Sequence, residues 1–225
     1  MTRALAVFAH PDDVDFNAAG TIAQWVDDGV EVSYLVVTRG EAGAGEPRDR
    51  IQQLRADEQR AAAEAVGVKQ VEFLDGYADG RVTVTLDLRR DIAATIRRVR
   101  PHRVVTSSPT RTWGLRDADH PDHAAVGEAT AGAVYPDAMN PYVHPDLADL
   151  EPWSVSEVWF SESPDPDRYV DITDTFDRKL AALAAHRSQP ETGEQLNRDR
   201  FAAVAARGGL PAGRFAEAFR VIIRS

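Results

Sequence analysis

The 225-residue chain contains no cysteine. Disulfides are excluded, and so is any metal site built on thiolates. A bound metal would have to be held by histidine, carboxylate or water. Basic charge is also short: 26 Lys and Arg stand against 36 Asp and Glu, a net charge of -10. That is the wrong sign for a surface that reads phosphate backbones, so nucleic acid is not an expected partner. No apolar run reaches the length that spans a bilayer. The N-terminal "MTRALAVFAHPDD" is too short an apolar run for a signal peptide and meets charge at once. A cytoplasmic protein without membrane association is the expectation. There is no repeat, no low-complexity tract and no linker long enough to divide the chain, so one domain over residues 1–225 is expected.

What is present reads as alternating strands and helices. Apolar stretches at 3–9, 30–38, 68–74, 103–108 and 155–161 have strand character. Helical patterns fall at 17–29, with Ala18, Ile22, Trp25 and Val26 on one face, and at 51–66, 86–99 and 121–133. A fifth covers 173–186, with Leu180, Leu183 and Ala184 inward, and 218–224 reads as a last strand or a helix end. This order predicts an α/β fold: a mostly parallel sheet with helices on both faces. Ligands of such sheets bind beyond the carboxyl ends of the strands.

Three His-Pro-Asp triplets occur, as "HPDD" at 10–13, "HPDH" at 120–123 and "HPDL" at 144–147. The first two follow predicted strands and carry a further metal-ligating type at the fourth position. Residues three apart at the start of a helical turn share a face. His10 can therefore converge with Asp13, and His120 with His123. Together they supply a His/Asp/His set suited to a first-row divalent ion. A catalytic zinc site keeps three protein ligands and an open position, which leaves residues over. Asp12 points away from Asp13 and could reach a water as general base. One of His120 and His123 could bind metal, and the other could stabilise negative charge or deliver a proton. Helix capping would explain one Asp of the first motif, and Asp119 with Pro121 in the second. It explains neither histidine of "HPDH". His144 lacks the fourth-position ligand and reads as an ordinary loop residue.

At these residues the chain resembles the LmbE-like (PIG-L type) zinc N-deacetylases. The resemblance extends through "GTIAQWVDDGVEVSYLVVTRGEAG", "LRADEQRAAAEAVGV", "FLDGYADGR", "RPHRVV" and "KLAALAAHRSQ". It is strongest toward the actinobacterial branch with N-acetylglucosaminyl-inositol deacetylases and thiol-conjugate amidases. It implies a Rossmann-like fold, zinc on His10, Asp13 and His123, Asp12 as general base, and His120 as oxyanion stabiliser or general acid. Iron(II) would suit the same donors. It also implies that Arg55 and Asp79 contact a substrate sugar and that Glu41 lines the pocket. Without it, Arg55 would read as a solvated helix face and "ADG" as a turn. His186 reads as a cation at a helix C-terminus. Two departures stand out: Val14 replaces a common acid after "HPDD", and "TWGLRDAD" offers no tyrosine for an oxyanion, leaving Trp113, Arg116 or nothing in that role.

The implied activity is removal of an acyl group from an N-acetylated amino sugar or glycoconjugate. An amidase acting on a larger thiol-glycoside conjugate is the alternative, with the same zinc site. A dinucleotide oxidoreductase would need a glycine fingerprint after the first strand, yet no glycine precedes Gly20. A non-catalytic module with structural zinc would want a closed site, often with thiolates. Specificity is expected in loops 39–50, 75–82, 107–119 and 136–153. The substrate and a homo-oligomeric state are left open.

Overall fold

The computed structural model describes residues 2–42, 48–114, 119–189 and 193–224. Strands β1 (Arg3–Phe8), β2 (Glu31–Val36), β3 (Gln70–Phe73), β4 (Arg103–Ser107) and β5 (Glu157–Ser161) lie within a residue or two of the predicted stretches. Helices α3 (Arg48–Ala65), α4 (Leu86–Val99) and α5 (Pro121–Gly132) also match. The pattern at 17–29 splits into α1 (Asp13–Asn17) and α2 (Ala19–Asp27), broken at Ala18, whose φ is -144°. Strand β6 (Arg168–Asp171) and helix α7 (Glu194–Arg207) were not anticipated, and the C-terminal stretch is a strand, β7 (Ala216–Ile223).

The seven strands form one sheet in the order β3-β2-β1-β4-β5-β7-β6. The first five are parallel, and β7 runs antiparallel to both β5 and β6. The chain leaves β1 toward β2 and β3, then returns to place β4 on the other side of β1. The β1–β4 seam is therefore the topological switch point, where a crevice opens at the carboxyl edge. Strand β1 is buried on both faces, as a central parallel strand should be. Leu5, Val7 and Ala9 pack in one core with α4 and α5, while Ala4, Ala6 and Phe8 pack in the other with α2 and α3. The period of two in the sequence becomes two hydrophobic layers.

Helix α5 lies unusually close to β4. A Cβ on Gly127 would sit 2.2 Å from the Ser107 carbonyl oxygen, so only glycine allows this approach. The 137–150 segment is gathered by Arg97, which is buried and donates to the carbonyls of Asp137, Ala138, Asn140, Leu147 and Leu150.

Helix α6 (Phe176–Ala185) turns a different face inward from the one predicted. Phe176, Lys179 and Ala182 are buried, whereas Leu180 and Leu183 are half-buried and Ala184 is exposed. Lys179 is fully buried because its ammonium has three acceptors: Glu217 Oε1 at 2.7 Å and the Asp15 and Phe16 carbonyls at 2.8 Å. Glu217 in turn accepts from the Gly20 and Thr21 N–H groups at the start of α2. Removing one partner of such a pair strands the other charge. Lys179→Met is expected to lower unfolding free energy by about 3–5 kcal/mol, read from the urea midpoint; an unchanged midpoint would refute this role.

Candidate metal centre

Both histidine motifs sit at the switch point, "HPDD" directly after β1 and "HPDH" beyond β4 at the start of α5. His10 Nδ1 is 3.3 Å from His123 Nε2 and 3.3 Å from Asp13 Oδ2, and His123 Nε2 is 3.0 Å from Asp13 Oδ1. Two imidazole nitrogens and a carboxylate thus face one point. For metal–ligand bonds near 2.0–2.2 Å, tetrahedral ligands stand about 3.3 Å from one another. The three side chains come near that spacing, with His10 facing Oδ2 and His123 facing Oδ1 of Asp13. Ring nitrogens of His10, His120 and His123 also lie within 4.8 Å of one another.

The far side of each imidazole meets a carboxylate. His10 Nε2 is 3.0 Å from Asp79 Oδ1 and 3.2 Å from Asp122 Oδ2. His123 Nδ1 lies 3.4 Å from Glu162 Oε2, close enough for an ion pair but not aligned as a hydrogen bond. Such outer carboxylates orient a metal-binding histidine and raise its basicity. Asp122 is itself completely buried and held by the Gly80 and Val82 N–H groups. Sequence reading passed over Asp122 and Glu162. The signal for Asp122 was the acid inside "HPDH"; nothing local marks Glu162.

The electrostatics favour added positive charge. Burial opposes protonation of His10, but Asp13 and the hydrogen bonds to Asp122, Asp13 and Asp79 push its pKa up to about 12. Burial likewise opposes His123, yet Asp13 and then Glu162 push it up to about 10. Burial would raise Asp13, while His123 and His10 hold it well below the usual carboxylate range. A divalent cation would supply this charge and displace the protons.

Asp12 sits differently. Its φ is +94°, a backbone region that costs a non-glycine residue of order 1–3 kcal/mol. Burial and the charge of Asp13 raise its pKa to about 7, against Arg55, His186 and His10. His120, not Asp119, caps α5: its Nδ1 accepts from the Asp122 N–H at 3.2 Å. The neutral ring therefore carries its proton on Nε2. Burial, then His10 and His123, depress its pKa. Asp119 instead gathers the Thr112, Trp113 and Gly114 N–H groups. Trp113 is exposed, and Arg116 lies outside the described residues.

The remaining predicted residues surround this centre. Arg55 is buried and donates to the Gly40 carbonyl at 2.8 Å, the Pro11 carbonyl at 2.7 Å and Asp12 Oδ2 at 3.2 Å. Asp79 accepts from the Ala42 N–H, and its own N–H donates to Glu41 Oε1. Burial opposes ionisation of Asp79, but His10 draws its pKa down to about 2. His144 lies elsewhere, buried with Nε2 3.2 Å from Asp137. His186 ends α6 as expected but is buried, with Nε2 2.8 Å from Asp15 Oδ2; burial opposes its protonation and Asp15 raises its pKa.

A sheet of this topology with two histidine motifs at its switch point defines a class of candidate metal-assisted hydrolases. The PIG-L family model, "GlcNAc-PI de-N-acetylase", matches residues 5–134, and the chain belongs to this deacetylase family. It is 33% identical over 226 residues to diacetylchitobiose deacetylase of Thermococcus kodakarensis, covering 98% of this chain and 83% of that protein. It is 31% identical to 1D-myo-inositol 2-acetamido-2-deoxy-alpha-D-glucopyranoside deacetylase of Rhodococcus jostii, covering 83% and 81%. The solved N,N'-diacetylchitobiose deacetylase of Pyrococcus horikoshii superposes with a TM-score of 0.89 at 27% identity, over 99% of this chain and 84% of that one. Among the described residues, no helix is long and apolar enough to cross a membrane.

Arg55 ties the turn after β1 to that after β2, so its loss should be felt without substrate. Arg55→Ala is expected to reduce stability by about 2–3 kcal/mol, measured by urea unfolding of the protein alone. An unchanged unfolding midpoint would leave Arg55 no structural role.

Proposed function

We propose that this chain is a zinc-dependent hydrolase that removes the acetyl group from an N-acetylated amino sugar or its glycoconjugate, with one deacetylase domain over residues 1–225. The observation that carries the reading is the convergence of His10 Nδ1, His123 Nε2 and the Asp13 carboxylate at 3.0–3.3 Å, with Asp12 next in the chain. The named substrates of the relatives, N-acetylated sugars, supply the substrate class.

His10, Asp13 and His123 would hold the metal. Bound there, zinc supplies Lewis acidity toward the amide carbonyl and lowers the pKa of water; iron(II) would suit the same donors. Asp12, the carboxylate beside the ligand Asp13 in the chain, takes the proton of the attacking water as general base. His120 turns its Nε2–H toward the oxygen that becomes negative as the tetrahedral centre forms. The C–N bond then breaks, and Asp12 returns the proton it took to the departing amine. Water is consumed, and acetate and a free amine are released. Arg55, Asp79 and Glu41 are assigned to the substrate side. Arg55 Nε and Glu41 Oε2 are buried without a partner and retain hydrogen-bonding capacity.

Asp12→Asn is expected to keep zinc and lose roughly 10²–10⁴ in kcat; near-normal turnover would remove Asp12 as the base. His123→Ala should lose zinc on dialysis, scored by metal analysis, and full retention would refute the ligand set. A panel of N-acetylated amino sugars, glycosides and thiol conjugates, scored for amine release, should show turnover that a chelator abolishes. Chelator-insensitive turnover would sink the metal mechanism.

A further inference from the structure

Behind Asp12 lies a hydrogen-bonded chain that the proposed chemistry does not use. Gln59 stands one turn after Arg55 on α3, on the same face, and is fully buried. Its Oε1 accepts the Asp12 backbone N–H at 2.8 Å, and its Nε2 donates to Asp15 Oδ2 at 2.8 Å. The same Asp15 oxygen meets His186 Nε2 at 2.8 Å. Asp15 is fully buried, and its backbone carbonyl accepts from Lys179. The amide of Gln59 has one orientation that satisfies both ends: oxygen toward an N–H, nitrogen toward a carboxylate. His186 reinforces it by fixing the carboxylate to which that nitrogen donates.

We propose that Gln59 and His186 are positioning residues for Asp12. Gln59 directly, and His186 through Asp15, hold the Asp12 N–H so that its backbone stays at positive φ and its carboxylate keeps its place beside Arg55. This rests on the reading of Asp12 as the base. The ligand beside it has its own anchor, since Asp13 Oδ2 accepts the His10 N–H at 2.8 Å. Loss of Gln59 or His186 therefore disturbs the base and spares the ligand set.

The test uses the zinc-loaded enzyme and, separately, the metal-free protein. Gln59→Met conserves volume and removes both hydrogen bonds; His186→Leu removes the donor, and His186→Gln returns one. Gln59→Met and His186→Leu are expected to lower kcat about 10- to 100-fold with KM and zinc content little changed, and His186→Gln to recover most of the loss. In the metal-free protein, the Asp12 amide proton should exchange roughly tenfold faster in both damaging variants, read by NMR. Unchanged kcat and exchange in folded Gln59→Met and His186→Leu would overturn the proposal. So would loss of zinc, or an effect confined to KM. Asp12→Asn in the same assay separates the two readings. Turnover retained there overturns Asp12 as base and this proposal with it. Turnover lost there but kept in Gln59→Met and His186→Leu overturns this proposal alone.

Discussion

The parallel pairing of β1 with β4 is the contact on which the rest of the molecule depends. Val7 stands opposite Thr106 in that ladder, so the two strands end side by side. The chain that leaves β1 turns at once into "HPDD", and the chain that leaves β4 reaches "HPDH" after a loop. Residues 113 positions apart are brought to 3.3 Å because the sheet reverses its winding between these strands. Hydrophobic layers on both faces of β1 hold the seam in place, and the missing side chain at Gly127 lets α5 settle onto it.

Around the seam, buried charge is organised rather than avoided. His10 is bracketed by Asp13 on one nitrogen and by Asp79 and Asp122 on the other. Lys179 and Glu217 form a second buried pair that ties α6 and β7 to the start of α2. Isolated, each of these groups would neutralise or draw in water; together they satisfy one another. The centre on His10, Asp13 and His123 differs from the Lys179 pair in one respect. There two imidazole nitrogens and a carboxylate stand within 3.0–3.3 Å of one another, where the second pair joins one ammonium to one carboxylate.

Much of this was legible in the chain. Five strands and the helices that follow them show in apolar period and in glycine and proline punctuation. The His-Pro-Asp triplets can be ranked by their fourth residue, and His144, with leucine there, does lie apart from the centre. Other features were not legible for identifiable reasons. Strand β6 has four residues and little apolar pattern, and the sense of β7 depends on which neighbours it meets. The inward face of α6 was misjudged because a lysine occupies it, and only Glu217, distant in sequence, makes that burial tolerable. His186 does end α6, but only the fold shows that it is buried against Asp15.

The sequence by itself determined the order of the elements, the residue types available to a metal and the exclusion of thiolate ligands. These depend on composition and short-range pattern, which a single chain displays directly. The tertiary structure decided which nitrogens of His10 and His123 face each other and Asp13, which carboxylates stand behind them, and that Gln59 accepts the N–H of Asp12. Those outcomes come from contacts across tens to more than a hundred residues, and local pattern carries no record of distance in space.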